Sequence, residues 1–439
     1  MNFDESTSYL LSLGNEVSAM KLGLENIRTL LAALGNPQNN YLKVQVAGTN
    51  GKGSVCAFLN SICLAAGINT GMYTSPHLNS ITERIRIGGK EISEDDFARF
   101  ATRVRERSEG LAAAGEIDGI PTFFEQVTAI ALLAFAEARV ALAILETGLG
   151  GRLDATTAAN AEIAAITRID LDHQKYLGET IGEIAAEKAA IVHSGSRVVI
   201  GDQQKAAMNV IVKRCADVGV QPHFASHLTE GGNPSGSEGV SCGEQTPSPR
   251  VGFPRLGLGG RHQVENASIA IHIVDVLREH FPISEQNVRD GLQSASHPGR
   301  LEFSGRFLFD GAHNIGGARA LREYLDEFVN QPITIIFGAM EDKDVSEIAS
   351  ILFPKANKLI LTQPENPRAL SAAQLRGSVP DDLDPANVFT TDNSSEAIEK
   401  ANGVSGEGDL ILVTGSLYLV AEARAIVSAD FPEKLITEN

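Results

Sequence analysis

The chain has 439 residues, of which 43% are hydrophobic and 21% are charged. This length and composition exclude an intrinsically disordered protein and predict a globular one with more than one domain. The formal net charge is -18, from 37 Lys and Arg against 55 Asp and Glu. Such a balance disfavours a nucleic-acid partner, because phosphate neutralisation needs clustered cations. We therefore expect small-molecule ligands.

The cysteines and the apolar runs indicate the compartment. The four cysteines are widely spaced and form no C-x-x-C pair, so they do not indicate a disulfide framework or a cysteine zinc site. No apolar run reaches the roughly 18 residues that a membrane-spanning helix needs, and the N-terminus opens with acidic residues where a secretory signal carries basic ones. We expect a cytoplasmic monomer that binds no membrane.

In chain order, short apolar runs first alternate with amphipathic stretches between residues 42 and 217. This alternation predicts parallel strands joined by covering helices, an α/β fold. The predicted strands are residues 42–47, 140–145, 163–167 and 197–201. The segment 226–250 is rich in Gly, Ser and Pro, and it predicts a surface excursion without function.

A second α/β series follows a predicted helix at residues 263–280 and a turn-rich stretch at 294–300. Its predicted strands are residues 333–338, 358–362 and 409–416. We therefore predict two domains, residues 1–296 and residues 297–439.

The run VQVAGTNGKGSVCAFLNSIC, residues 44–63, predicts a buried strand, a glycine-rich turn and a helix. This arrangement is typical of a phosphate-binding loop, in which backbone N–H groups and a helix N-terminus face the anion and Lys52 reaches the outer phosphates. The strict pattern G-x-x-x-x-G-K-[ST] is not met, because Gly53 follows Lys52 and Ser54 comes one residue late. The alternative is a glycine-rich turn that binds nothing.

Two further residues stand out by their positions. Glu146 follows the strand predicted at residues 140–145, and ligands of parallel sheets collect at the carboxyl ends of strands. Lys188 lies on the apolar face of the helical run 181–192, where burial would favour its neutral amine. The alternative for Lys188 is a side chain that extends along the helix surface to reach solvent.

The run GTNGKGS, residues 48–54, closely resembles the phosphate loop of the Mur ligase superfamily. Further runs resemble one branch of it, the folylpolyglutamate synthases and dihydrofolate synthases, in family order along nearly the whole chain. These runs are LGLENI (22–27), YTSPHL (73–78), ERIRI (83–87), TFFEQVTAIALLAF (122–135), LETGLGGRLDAT (145–156), LDHQKYLGETIGEIAAEKAAIV (171–192), GRHQVENA (260–267), PGRLE (298–302), FDGAHN (309–314) and TGSLYLVAE (414–422).

The resemblance implies a large N-terminal P-loop domain with a central, mostly parallel sheet, a smaller C-terminal Rossmann-like α/β domain, and ATP between them. It implies ATP-dependent amide formation with Mg²⁺, in which L-glutamate is joined to folate and also to dihydropteroate. A substrate carboxylate is first phosphorylated, and the amino group of L-glutamate then displaces phosphate. Two alternatives remain: a ligase of peptidoglycan precursors, and a P-loop switch or binding protein that ligates nothing.

The resemblance also implies site residues. The nucleotide-binding residues are Asn50, Gly51, Lys52, Gly53, Ser54, Asn266, Arg300 and Asp310. The metal ligands are Ser75, Glu146 and His173. The substrate contacts are Thr122, Phe124, Glu125, Leu153, Asp154 and Ala155. The catalytic residues are Lys52, Lys188 as a carbamylated lysine, and His313 in a supporting role.

Overall fold

The computed structural model describes residues 1–14, 23–225, 256–381 and 383–430. The predicted surface excursion at residues 226–250 lies outside this described part of the chain. Within it, the chain forms two α/β lobes, each built on its own mostly parallel sheet. None of the helices in these described ranges is long and apolar enough to span a bilayer.

The first lobe comprises the elements up to residue 294. Its strands are β1 Leu42–Ala47, β2 Thr70–Tyr73, β3 Ile85–Ile87, β4 Lys90–Glu91, β5 Leu142–Glu146, β6 Ile163–Ile166, β7 Arg197–Ile200 and β8 Pro222–Phe224. Its α-helices are α1 Phe3–Ser12, α2 Glu25–Ala33, α3 Lys52–Ala65, α4 Glu94–Ala113, α5 Phe123–Glu137, α6 Gln174–Leu177, α7 Ile181–Ala189, α8 Lys205–Asp217, α9 His262–Leu277 and α10 Glu285–Ser294.

The first sheet has the strand order β4-β3-β2-β5-β1-β6-β7-β8 in the described residues. Its strands are parallel except at one edge, where β3 pairs antiparallel with both β2 and β4. The central strands β1, β5 and β6 are buried almost throughout because helices cover both faces of the sheet. Helices α4 and α5 contribute to one apolar core, and α3 and α9 contribute to another.

The second lobe comprises the elements from residue 302 onward. Its strands are β9 Glu302–Ser304, β10 Phe307–Phe309, β11 Ile333–Phe337, β12 Lys358–Leu361, β13 Val388–Thr390 and β14 Leu410–Thr414. Its α-helices are α11 Ile315–Phe328, α12 Val345–Leu352, α13 Ala372–Arg376, α14 Ser394–Val404 and α15 Leu417–Asp430.

The second sheet has the order β13-β12-β11-β14-β10-β9 in the described residues, with β9 antiparallel to β10. The chain adds β12 and β13 on one side of β11 and then places β14 on the other side. This reversal creates a crevice at the carboxyl ends of β11 and β14, the usual ligand position in open α/β sheets.

The predicted fold class is confirmed, and the predicted strands agree with the structure to within two residues at either end. Shifts of two residues occur at the end of β14 and at the start of β5, which begins at Leu142 because the Val140 N–H still bonds Phe135 O at the end of α5. Arg139, with φ of 51°, ends that helix in the left-handed conformation. The domain boundary at residue 297 stays a prediction.

Candidate active site between the two lobes

A cleft of about 630 Å³ lies where the carboxyl ends of the central strands of the first lobe face the second lobe. Every residue assigned to the site from the sequence lines this cleft. The lining includes the loops after β1, β2, β5 and β6 in the first lobe and the loops after β10, β11 and β14 in the second. The structure therefore brings the predicted residues together at a single place.

The phosphate loop, residues 48–54, joins β1 to α3. Gly51 precedes the helix with φ of 89°, and a Cβ there would lie 2.2 Å from Asn266 Oδ1, so glycine is required. The Lys52 Nζ donates to the carbonyl oxygens of Gly48 and Thr49, both at 3.2 Å. These bonds keep the ammonium group beside the N-terminus of α3, where the helix dipole already favours an anion.

The cleft is also lined by Asn266, beside the phosphate loop, and by Arg300 and Asp310 of the second lobe. Asn266 is buried on α9, and its Nδ2 donates to Gln263 Oε1 at 3.0 Å. Burial raises the pKa of Asp310, although the nearby Arg300 opposes the shift. The Asp310 carboxylate accepts the backbone N–H groups of Leu301 and Ala312, both at 3.0 Å. Asp310 thus stabilises the loops around Arg300 as well as facing the cleft.

Ser75, Glu146 and His173 lie on neighbouring loops of the first lobe. Glu146 ends β5 and is buried, and its Oε2 accepts the Ser75 N–H at 3.2 Å. Burial lowers the pKa of His173 to about 4, so its imidazole is neutral at pH 7. Within the described ranges, His173 Nδ1 is a buried atom that has no hydrogen-bond partner.

These three residues fit a divalent cation. A neutral imidazole nitrogen, a carboxylate and a hydroxyl are suitable ligands for Mg²⁺ or Mn²⁺. No cluster of three or more His, Cys, Asp and Glu side chains in the described residues forms a complete metal cage. An open set of protein ligands is what Mg²⁺ uses when phosphate oxygens and water supply the remaining positions.

Lys188 is buried, with 5% of its surface exposed, so the alternative of a side chain that extends to solvent is wrong. Its Nζ donates to Gly48 O at 2.8 Å, the carbonyl that also accepts Lys52. Burial and the neighbouring Lys52 charge lower the pKa of Lys188 to about 7. A substantial fraction of this amine is therefore neutral at physiological pH.

The loop of residues 148–156 is organised around Asp154. One oxygen of its carboxylate accepts the N–H groups of Gly148 and Leu149 at 2.8 and 2.9 Å, and the other accepts the N–H and hydroxyl of Thr156. Both oxygens are thus satisfied by the loop itself. Asp154 itself lines the cleft with its oxygens engaged by these four donors, and Leu153 and Ala155 line the cleft beside it.

The predicted contacts on α5 also have local partners. Thr122 caps the helix, and its N–H and hydroxyl donate to Glu125 Oε2 at 2.8 and 2.9 Å. Phe124 packs against Tyr73, with ring centroids 5.9 Å apart, and its ring occupies the space that a Cβ on Gly148 would need. Phe124 therefore presents a half-buried aromatic wall to the cleft, while Phe123 belongs to the core.

A polar network across the cleft was not predicted from the sequence. Lys343, in the loop after β11, donates to Asp172 Oδ1 at 2.6 Å, and both side chains are 8% exposed. Asn314 Nδ2 donates to Asp172 Oδ2 and to Asn50 Oδ1, both at 3.0 Å. Burial alone would raise the pKa of Asp172, but His173, Lys343 and His313 together lower it far below its usual range.

His313 and Asn314 occupy the loop before α11. Asn314 is the N-cap of that helix and accepts the Gly317 N–H at 2.8 Å. The His313 Nδ1 lies 2.7 Å from Gly311 O, and its Nε2 lies 4.0 Å from Asp172 Oδ2. Burial lowers the pKa of His313 to about 4, so its ring is neutral at pH 7.

Comparison with known families defines the class of protein. Residues 46–274 match the Mur ligase middle domain, and residues 299–417 match the Mur ligase glutamate ligase domain. Together the two matches cover both lobes and the loops that line the cleft. The chain therefore combines the two domain types of Mur ligases in a single polypeptide.

Curated relatives narrow this class. The chain is 35% identical over 99% of its length to a probable bifunctional folylpolyglutamate synthase/dihydropteroate synthase of Halobacterium salinarum, and it spans about half (52%) of that relative's length. It is 33% identical over 92% of its length to the dihydrofolate synthase/folylpolyglutamate synthase of Bacillus subtilis, of which it covers 95%.

A solved structure supports the same branch of the superfamily. The Mycobacterium tuberculosis folylpolyglutamate synthase complexed with ADP aligns with a TM-score of 0.86 and 29% identity, over 97% of this chain and 98% of that one. The chain belongs to the folylpolyglutamate synthase/dihydrofolate synthase family of the Mur ligase superfamily.

Proposed function

We propose that this protein is an ATP-dependent ligase that adds L-glutamate to reduced folates and also to dihydropteroate. The observation that carries the proposal is the single cleft. It combines the phosphate loop, the trio Ser75, Glu146 and His173, and the arginine Arg300 from across the cleft. A ligase that activates a carboxylate with ATP needs these groups within reach of one another, because two anions must be brought together. The named relatives and the glutamate ligase domain support the choice of substrates.

The reaction uses the chain's own groups in two stages. Lys52, Arg300 and the N–H groups of the phosphate loop bind the triphosphate while an oxygen of the substrate carboxylate attacks the γ-phosphorus and ADP leaves. The amine nitrogen of L-glutamate then attacks the acyl carbon, phosphate departs, and the amine loses a proton to complete the amide. His313, neutral and beside the cleft, has a supporting role as a nearby acceptor. Closure of the lobes over the bound substrates would keep water from the acyl phosphate.

Ser75, Glu146 and His173 would bind Mg²⁺, which neutralises charge on the transferred phosphoryl group. Glu146→Gln should raise the Mg²⁺ concentration needed for half-maximal rate by about ten-fold or more, since an amide is a weaker ligand than a carboxylate. A Mg²⁺ titration of the initial rate measures this. Glu137→Gln, an exposed carboxylate paired with Arg99, is the matched control and should titrate like the wild type. An unchanged titration for Glu146→Gln would remove it from the ligand set.

Lys188 is proposed to be carbamylated. Its neutral amine nitrogen would bond to the carbon of CO₂ and release one proton to solvent, which replaces a neutral amine with an anion beside the metal ligands. The run EKAAI around Lys188 supports this, although Ala190 stands where the family has glycine. Intact-mass measurement in bicarbonate should show an added carboxylate that is absent from Lys188→Met, and a free amine alone would contradict the proposal.

The pteroyl ring is proposed to bind between Phe124 and the loop that carries Leu153 and Ala155. Phe124 offers an aromatic face to the cleft, and Leu153 and Ala155 offer an apolar edge near it. Thr122 and Glu125 support this wall through the capping box of α5. Asp154 supports it by fixing the loop.

The decisive experiment follows phosphate release with ATP and Mg²⁺ while each cosubstrate is omitted in turn. Parallel reactions with dihydropteroate and with tetrahydrofolate, read by mass spectrometry of the glutamylated product, test the two activities separately. We expect release only when a pteroyl substrate and L-glutamate are both present. Release that ignores both cosubstrates would favour a nucleotide-dependent switch, and product formed only with peptidoglycan precursors would favour the other ligase.

A further inference from the structure

The turn that carries Arg300 has an unusual backbone. Arg300 lies between Gly299, with φ of 71°, and Leu301, with φ of 45°. Left-handed backbone is unfavourable for leucine because its Cβ crowds the following carbonyl. Such a conformation persists only when surrounding contacts determine it, and it is found at functional sites. Arg300 is therefore presented from a turn that other residues must stabilise.

Three hydrogen bonds stabilise this turn. The Leu301 N–H donates to Asp310 Oδ2 at 3.0 Å, and the Gly311 N–H donates to Gly299 O at 2.9 Å. The Gly299 N–H donates to Glu302 Oε2 at 2.8 Å. The first two bonds join the turn to the loop after β10. The third depends on the Glu302 side chain, which must itself be fixed in place.

Arg424 on α15 fixes Glu302. Its Nε donates to Glu302 Oε1 and Oε2 at 2.9 and 3.0 Å, and the two side chains are only 23% and 20% exposed. Because this pair is largely shielded from water, salt screens it less than it screens an exposed surface ion pair. The same helix contacts the turn directly, since a Cβ on Gly299 would lie 3.2 Å from Val420.

We infer that Glu302 and Arg424 are positioning residues that hold the Arg300 turn in its ATP-binding conformation. Neither residue lines the cleft, and both act through Arg300. The residues Ser416 and Leu417 at the start of α15 do line the cleft. The pair therefore attaches the Arg300 turn to a helix whose first residues line the same cleft. This inference rests on the proposed use of ATP.

Arg424→Met tests the pair. We expect the dissociation constant for ATP and the KM for ATP to rise about ten-fold, with kcat and the KM for L-glutamate changed by less than about two-fold, because a contact of Arg300 with ATP that is equal in the ground and transition states is weakened. Arg424→Lys should recover most of the ATP affinity, since it retains a cation near Glu302. Glu302→Gln keeps an acceptor for the Gly299 N–H and should give an intermediate effect.

Arg306→Met is the matched control. Arg306 lies in the turn between β9 and β10, and it donates to Gly406 O and Asn402 Oδ1 at 3.0 and 2.7 Å, away from the Arg300 turn. Its removal should leave ATP binding unchanged. If Arg424→Met merely lowers the melting temperature and leaves ATP affinity equal to that of this control, the pair has only a structural role and the inference is wrong.

A double substitution separates action through Arg300 from any other effect. In an Arg300→Met background, Arg424→Met should weaken ATP binding by less than about two-fold further, because the group it positions is already gone. If the two substitutions instead weaken ATP binding by independent factors that multiply, the inference is wrong.

Direct titration with ATP separates the positioning role from the proposed function. A wild-type protein that binds no ATP contradicts the proposed function, whereas a wild type that binds ATP with an unchanged Arg424→Met variant contradicts the positioning role alone.

Discussion

The phosphate loop and the loop of residues 148–156 follow adjacent strands of the same sheet, yet they use their charged side chains in opposite ways. Lys52 bonds two carbonyl oxygens at 3.2 Å and keeps its charge in the cleft. Asp154 is buried and gives both oxygens to four donors of its own loop. One charged group is available to a ligand and the other is used in building the structure, although both line the cleft and both lie in glycine-rich runs.

The contrast between Lys52 and Asp154 shows that a motif residue in a site has two separate properties: its position, and the number of its hydrogen bonds that remain available to a ligand. Position can be read from the family resemblance, because both loops follow buried strands. Bonding capacity depends on which donors the folded loop brings within 3 Å. Substitutions in the two loops should therefore separate activity from stability.

The largest effect is expected at Lys52. Lys52→Ala should lower kcat/KM by a factor on the order of 10² to 10³, about 2 to 4 kcal/mol in the transition state, because the contact strengthens as charge moves to the leaving oxygen. Steady-state kinetics measure this. The free energy of unfolding should change by less than about 0.5 kcal/mol, since Lys52 makes only long bonds to backbone oxygens. Unchanged turnover would contradict the phosphate role.

Asp154→Ala should have the converse effect. It leaves three backbone N–H groups and a hydroxyl without their acceptor, and we expect the free energy of unfolding to fall by about 2 to 4 kcal/mol. Urea denaturation measures the loss. A variant as stable as the wild type but with a raised KM for the pteroyl substrate would show instead that Asp154 serves the ligand directly.

The burial of Lys188 predicts that the stability of the protein depends on pH. Its folded-state pKa of about 7 lies below the value of 10.5 expected when unfolded, so the unfolded chain binds more protons between these values. Stability should therefore rise with pH from 7 to 10, by at most about 1.4 kcal/mol per pH unit. In CO₂-free buffer, the unfolding free energy of the wild type should therefore increase between pH 7 and pH 10 relative to that of Lys188→Met. Parallel profiles would show that the amine is not desolvated.

The smallest effect is expected at Thr122. Thr122→Ala removes the N-cap of α5 and should cost about 1 kcal/mol of unfolding free energy, whereas Thr122→Ser should retain the cap. Thermal unfolding compares the two variants. If Thr122→Ser is as stable as wild type yet binds the pteroyl substrate more weakly, the methyl group contributes to the ligand wall in addition to the cap.

The sequence predicts the first lobe well where structure is local. The run from β1 through the phosphate loop into α3 is continuous, so strand, turn and helix each leave their own pattern. Strand β2 was missed because it has four residues and contains Gly71, which weakens the strand signal. The fold explains that glycine: a Cβ on it would lie 2.5 Å from the ring of Phe135.

Contacts between distant residues were not predictable. Lys343 and Asp172 are 171 positions apart, and each stands in a run that by itself indicates only a loop. The acidic residue beside His173 was the one available signal, and it does not identify its partner. The ion pair of Glu302 and Arg424 could not be predicted from the sequence for the same reason, since the contact depends on how α15 packs beside the Arg300 turn.

The oxygen and the nitrogen of the Asn314 amide group bond to different lobes. Its oxygen caps α11 within the second lobe, while its nitrogen donates only to residues of the first lobe. A rigid-body separation of the lobes would break the bonds of the nitrogen and leave those of the oxygen intact. Separation of the lobes would break these two bonds of Asn314, together with the bond of Lys343 to Asp172, and leave the first turn of α11 capped while substrates enter and products depart.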